Sequence, residues 1–347
     1  MLVIDDSAFM RKLISDFLNE HPEIEVIGTA RNGKEGLEKI EALNPTVVTL
    51  DVEMPILNGL DTLKIIMDQN PLPVIMLSST TKAGAEITIR CLQYGAFDFL
   101  TKPSGPISLD LHKIKNQLIE KVLEAASARV KVEKSIVEVK PKNTETTIEI
   151  KRINQTNKKV LVGIGTSTGG PRALQEVIPY LSKETNASYF IVQHMPPGFT
   201  QSLADRLNSM SQVTVKEARH GEFIQSGVVY IAPGGYHMQV VEEVGKNLKI
   251  EILDSTQKSS YRPSVDILFQ SLSQLEDYHK IAVIMTGMGH DGTKGLKELK
   301  LAGNVTTIAQ SEESSIIFGM PKSAIEANVV DHIVDLKDIP HTIQRLI

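Results

Sequence analysis

The stretch Val160-Leu161-Val162-Gly163-Ile164-Gly165-Thr166-Ser167-Thr168-Gly169-Gly170-Pro171 carries an apolar run straight into a glycine-rich turn, and Ala173 to Leu181 behind it reads as a helix. Strand, tight turn and helix in that order form the unit from which parallel α/β sheets are built. Two chemistries use such a turn. A dinucleotide fingerprint needs G-x-G-x-x-G, but after Gly163 and Gly165 the third glycine is replaced by Thr168. It also needs an acid near the end of the next strand, where this chain has Gln193-His194. What remains is G-x-S-x-G at 165–169, whose small neighbours let the turn expose Ser167 at a helix N-terminus.

A serine nucleophile needs a base and a group to orient that base. His194 ends the strand expected at Tyr189 to Val192, on the same rim as Ser167. Asp291 lies in Thr286-Gly287-Met288-Gly289-His290-Asp291-Gly292, after a strand expected at Ile281 to Met285. Three strand ends thus offer Ser167, His194 and Asp291. The order Ser, His, Asp is no obstacle, because such triads are defined by geometry. His220, His237 and His290 are rival bases and Asp254 and Asp266 rival acids, with positions that fit the rim less well, except that His290 fits a place near the site without being the base.

Outward from this unit the pattern repeats. Further strands are expected at Val213 to Lys216, Val228 to Ile231 and Val305 to Ala309, and Met238 to Val241 with Leu248 to Leu253 reads as a hairpin through Gly245-Lys246-Asn247. Toward the N-terminus, strands at Leu2 to Ile4, Ile24 to Ile27, Thr46 to Leu50, Val74 to Leu77 and Phe97 to Leu100 alternate with helix-compatible segments. Apolar strands alternating with helices imply a parallel sheet covered on both faces, with ligands beyond the carboxyl ends of its strands. On that rim stand Asp5 and Asp6, Asp51, Ser78 and Lys102. Three carboxylates at one edge repel unless a cation neutralises them, and an all-oxygen set selects a hard ion such as Mg2+. Such a rim can hold a phosphoryl group, with Asp51 as nucleophile, Lys102 as a point charge and the Ser78 hydroxyl as donor.

At roughly 150 residues per domain, 347 residues suggest two domains, and 41% hydrophobic content supports packed cores. Residues 129–159 carry nine Lys/Arg against four Glu, there is no glycine between Gly105 and Gly163, and there is no aromatic residue between Phe99 and Tyr180. A core is hard to build there, so the segment reads as a basic tether. A net charge of −5 argues against a dedicated nucleic-acid binder. The single Cys91 allows no internal disulfide, no apolar run approaches a membrane span, and the start Met-Leu-Val-Ile-Asp-Asp lacks an export signal. A cytoplasmic protein without membrane insertion is expected.

Asp5-Asp6, Asp51 with Met54-Pro55 and Asn58-Gly59, Ser78 and Lys102-Pro103 resemble the receiver domain of bacterial two-component response regulators over residues 1 to about 120. The resemblance implies that Asp51 accepts phosphate from a histidine kinase in a Mg2+-dependent step, with Asp5, Asp6 and Asp51 around the metal and a cis peptide before Pro103. Phe99 stands where that family has an aromatic switch residue, although a packed core Phe fits equally. Only four residues precede Asp5. That is fewer than the family's first strand normally has, so either a later start than the natural one or a less stable domain is expected.

With Gln193-His194-Met195-Pro196, Ala232-Pro233-Gly234-Gly235-Tyr236-His237 and Arg262-Pro263-Ser264-Val265-Asp266 added, almost the whole chain resembles the CheB family of chemotaxis protein-glutamate methylesterases. The resemblance implies a flavodoxin-like receiver at 1–120, a basic linker at 121–158 and a doubly wound α/β methylesterase domain at 159–347, with a mostly parallel sheet and a hairpin. It places the triad on Ser167, His194 and Asp291 and the oxyanion region at the Met288 amide and near Thr168. It further implies demethylation of methyl-accepting chemotaxis receptors, deamidation of their glutamines, no cofactor for the ester step, and a receiver that covers Ser167 until Asp51 is phosphorylated. Ala309-Gln310-Ser311-Glu312 has serine where that family usually has aspartate, which puts one local hydrogen bond in question. A DNA-binding output would instead need a basic helix-turn-helix region, and a scaffold with an inactive output would keep Asp51 but not the triad.

Overall fold

Short apolar runs that end in polar residues give two parallel sheets, and the computed structural model describes them over residues 1–102, 110–127, 159–243, 245, 247–254 and 261–347. The first sheet alternates β1 (Leu2–Ile4), α1 (Ala8–Asn19), β2 (Gly28–Ala30), α2 (Gly33–Leu43), β3 (Val48–Asp51), α3 (Gly59–Gln69), β4 (Val74–Ser78), α4 (Lys82–Gln93), β5 (Asp98–Thr101) and α5 (Asp110–Ser127). Its strand order is β2-β1-β3-β4-β5, all parallel. Side-chain caps start the helices: Ser7, Asn32, Asn58 and Thr81 each accept a backbone N–H of the first turn. After Asn58, Gly59 is required by close approach, because a Cβ there would stand 2.1 Å from the Asp51 carbonyl oxygen. That contact seats α3 against the end of β3.

The second strand is not where the apolar run Ile24 to Ile27 suggests. The Ile27 N–H donates to the Met1 carbonyl, and the ladder with β1 begins one residue later, at Leu2 opposite Gly28. Ile24 is instead buried in the cluster that holds Leu118 and Val122 of α5, so its apolar character serves packing rather than pairing. α5 also runs past the boundary expected at 120, through Ser127, because Leu118, Val122 and Ala125 keep one buried face at i, i+4 and i+7. Pro103 and its peptide bond lie outside the described residues, as does most of the basic tether.

The second sheet is built from β6 (Val160–Thr166), α6 (Gly170–Val177), β7 (Ala187–Gln193), α7 (Phe199–Met210), β8 (Thr214–Glu217) and β9 (Val228–Ile231). The hairpin β10 (His237–Glu242) and β11 (Leu248–Leu253) follows, then α8 (Val265–Ser273), β12 (His279–Ile284), α9 (Thr293–Ala302), β13 (Val305–Gln310), α10 (Met320–Glu326), β14 (His332–Val334) and α11 (Ile339–Leu346). The order β14-β13-β12-β6-β7-β9-β8 is parallel throughout. β14, an edge strand of three residues, has too little apolar pattern to be read from sequence. The winding direction reverses around β6, which has β12 on one side and β7 on the other, and the crevice at such a reversal is where these sheets bind ligands. Among the described residues no helix is long and apolar enough to cross a membrane.

The two sheets meet. α4 packs against α6 and α7, the Phe99 ring stacks on Phe199 at 4.5 Å, and Ile316 and Ile317 join the apolar cluster under α1 and α5. The α4–β5–α5 side of the first sheet therefore lies over the carboxyl rim of the second.

Candidate active site

Ser167 follows β6, His194 follows β7 and Asp291 follows β12, so the central strand β6 and its two neighbours deliver them to one crevice. The His194 Nε2 and Asp291 Oδ2 are 2.7 Å apart. Asp291 is buried and receives three more donors: Val265 N–H on Oδ2, and the Ser264 hydroxyl and Asp266 N–H on Oδ1. Burial works to raise its carboxyl, but His194 and the N–H donors outweigh that and hold it below its ordinary value. Because Nε2 faces Asp291, the ring nitrogen left for a serine is Nδ1. It is buried and has no hydrogen-bond partner, so Ser167 and His194 are not hydrogen-bonded to each other in this structure.

Ser167 itself is half-buried and held by its backbone: its N–H donates to Thr286 O and its carbonyl accepts from Gln193 Nε2 at 2.9 Å. The turn bearing Met288 presses on it. A Cβ at Gly287 would stand 2.7 Å from the Ser167 Cβ, so only glycine admits the turn this close. Met288 is 39% exposed at the lip. The side chain of Thr168 faces the first sheet: its hydroxyl lies 3.2 Å from Asp98 Oδ2 and 3.4 Å from Glu124 Oε2, so one hydroxyl serves two carboxyl groups. Lys121 pairs with Asp98 alongside.

The rivals are placed elsewhere. His220 Nδ1 accepts the Ile252 N–H, and His290 and Asp254 are exposed. His237 is fully buried, with neither nitrogen hydrogen-bonded, and burial, followed by Arg262, lowers its pKa. Asp266 caps α9 by accepting the Gly292 and Gly295 N–H groups. Two supporting residues went unread in the sequence. Gln193 is the residue next to His194, and Ser264 stands just before α8, where a serine reads as an N-cap; here its hydroxyl goes to Asp291 instead. At the exchanged position, the Ser311 hydroxyl lies 3.1 Å from that of Ser314, while the neighbouring Gln310 accepts the Thr286 N–H.

On the rim of the first sheet, Lys102 Nζ lies 2.8 Å from Asp5 Oδ2 and 2.7 Å from Asp51 Oδ2, an ion pair with both carboxylates. Burial pushes the Asp51 carboxyl up to about 6; Lys102 works against this and Asp5 adds to it. Asp5, Asp6 and Asp51 each offer an oxygen within 4.8 Å of the others, a donor set that fits a hard divalent ion. Ser78 is buried, with its hydroxyl accepting from Thr88 and donating to Ser79 O.

The CheB methylesterase family matches residues 162–343, and the response regulator receiver domain family matches residues 1–113. A Geobacillus kaustophilus protein named protein-glutamate methylesterase/protein-glutamine glutaminase is 55% identical over 347 residues, covering 100% of this chain and 98% of the relative. A Bacillus subtilis protein of the same name is 53% identical, covering 99% and 97%. The crystal structure of the Thermotoga maritima CheB methylesterase catalytic domain superposes with a TM-score of 0.51 at 43% identity, covering 54% of this chain and 98% of that one. With family matches to both halves and relatives this similar along its full length, the chain belongs to the CheB methylesterase family and carries a response regulator receiver domain ahead of its methylesterase domain.

Proposed function

We propose that the chain is a phosphorylation-activated protein-glutamate methylesterase of the bacterial cytoplasm, acting on methyl-accepting chemotaxis receptors and deamidating receptor glutamines. In this reading, residues 1–120 and the rest of α5 form the receiver, the basic stretch to 158 is the linker, and 159–347 is the enzyme. The observation that carries it is the convergence of Ser167, His194 and Asp291 at adjacent strand ends, in a chain whose full-length relatives bear that name. His194 Nδ1 takes the Ser167 proton as Oγ attacks the γ-ester carbonyl, and the turn at Met288 with the N-terminal end of α6 faces the oxyanion. The imidazolium returns the proton to the leaving methoxide, releasing methanol. Water, activated by the same nitrogen, then splits the acyl-enzyme, leaving a receptor carboxylate and one proton. With glutamine the leaving group is ammonia.

Control follows from the receiver's position. Its Asp98 and Glu124 engage Thr168, one residue from Ser167, while Phe99 is stacked on Phe199. Asp5, Asp6 and Asp51 would hold Mg2+, which when bound draws charge from the phosphoryl oxygens. Asp51 accepts the phosphoryl group from a histidine kinase, and Lys102 and Ser78 move toward it, weakening the docked face. The test is methanol release from methylated receptor membranes with and without a small acyl phosphate and Mg2+. Stimulation is expected in the parental chain and not in Asp51→Asn, and equal stimulation of both would refute the regulatory half.

Docking should also depend on pH. Burial, with Asp98 and Glu120 adding repulsion against the pull of Lys121 and Thr168, raises Glu124 from 4.5 to about 7. The docked form therefore binds this proton more tightly than the undocked form does. Glu124 stabilises docking relatively at low pH, and that advantage is lost as pH rises from about 4.5 through about 7. The unphosphorylated rate, taken as a fraction of the phosphorylated rate, should climb over that interval, and Glu124→Gln should flatten the climb. A parental profile in the Gln variant would exclude Glu124 as its source.

A further inference from the structure

Tyr261 lies flat on the His194 imidazole, with ring centroids 4.4 Å apart and planes 1° from parallel. Its far end reaches the turn beside Met288: a Cβ at Gly289 would stand 3.2 Å from the Tyr261 hydroxyl oxygen, and Gly289 has φ +81°, where side chains are rare. The phenol thus spans from the base to the loop that faces the oxyanion. Burial, then Glu120, Asp291 and Glu124, raise its pKa and keep it a neutral phenol.

We infer that Tyr261 is a positioning residue for His194, an inference that rests on the Ser167–His194–Asp291 reading. Two effects follow from the stack. A single hydrogen bond to Asp291 leaves the imidazole free to tilt about the Nε2–Oδ2 axis, and a parallel stacked ring with its centroid at 4.4 Å blocks that tilt, holding Nδ1 in the crevice. When Nδ1 takes the Ser167 proton, the new imidazolium meets the negative face of the phenol. That attraction is stronger for the cation than for the neutral ring, so it acts on the barrier and not on substrate binding. A phenylalanine supplies the same face, whereas methionine or leucine fills the volume without it.

The test uses the full chain, phosphorylated with a small acyl phosphate and Mg2+, and follows methanol release against methylated receptor concentration. In Tyr261→Met, kcat should fall about three- to tenfold with KM within about twofold, and Tyr261→Phe should stay within about twofold on both. Should the Met variant fold poorly, the rate of fluorophosphonate labelling of Ser167 in Tyr261→Leu replaces it, slowed in Leu and not in Phe. Parental kcat in Met, a change confined to KM, or equal losses in Phe and Met would each overturn the assignment. These outcomes are separable from failure of the triad reading, which shows as parental turnover in Ser167→Ala.

Discussion

Asp291→Asn is expected to lower methanol release about 10⁴-fold while the domain stays folded. The carboxylate accepts four hydrogen bonds, from His194 Nε2 and Val265 N–H on one oxygen and from the Ser264 hydroxyl and Asp266 N–H on the other. All four are donations, so the site requires two acceptors, and an amide provides one. With its NH2 toward Val265, two donors face each other, and His194 must present a lone pair at Nε2. The ring proton then sits on Nδ1, the nitrogen that has to take the serine proton. With the NH2 toward Ser264, that hydroxyl can rotate and accept, but the Asp266 N–H meets a donor. Either way the negative charge beside the forming imidazolium is gone. Ser167→Ala removes the nucleophile itself and should fall at least as far. Thermal unfolding of Ser167→Ala should stay close to parental, since it removes one hydroxyl, whereas Asp291→Asn should unfold at a lower temperature, because either amide orientation leaves a buried N–H facing a donor, at a cost of about 1–3 kcal/mol. Parental methanol release by either variant ends the serine-hydrolase reading.

Strand ends were the legible part of this molecule. A parallel sheet buried on both faces writes its strands as apolar runs, and the residue after each run must lie on one rim, so Ser167 and His194 can be placed together without coordinates, while Asp291, seven residues beyond Ile284, follows only from the loop that leaves the same rim. The same logic finds Asp51, Ser78 and Lys102. Where an apolar run packs without pairing the logic fails, as at Ile24 to Ile27, because burial and strand pairing leave the same mark in sequence. β14 fails for the opposite reason: its His332 and Ile333 are exposed. The supports of the site were hidden because their roles depend on distance. Nothing in the string says that the Ser264 hydroxyl reaches Asp291, or that the Tyr261 ring lies on His194. The imidazole edge turned toward Asp291 is likewise a matter of side-chain rotation. The motif names the histidine, and the packing decides that Nε2 faces Asp291 and leaves Nδ1 as the other edge.

Phe99→Ala is expected to raise the unphosphorylated rate by about 30-fold, or to the phosphorylated ceiling if that is reached first. The ring is 6% exposed, and its outward face is stacked on Phe199 across the interface. Losing the aromatic pair and the apolar area it covers should weaken docking by about 2 kcal/mol. The part of the ring packed inside the receiver is lost in the docked and undocked states alike, so it lowers receiver stability without shifting the balance between them. The polar contacts at Thr168 cannot hold the interface alone. One hydroxyl serves two carboxyl groups, and Lys121 already pairs with one of them. Because opening is bounded by the fully open enzyme, the diagnostic quantity is the ratio of the phosphorylated to the unphosphorylated rate. It must shrink by the factor through which the basal rate rises, whereas damage to Asp51 or its rim would shrink the ratio from the phosphorylated side and leave the basal rate low. An unchanged basal rate with parental stimulation in Phe99→Ala would mean that the Phe99–Phe199 stack does not hold the receiver over Ser167.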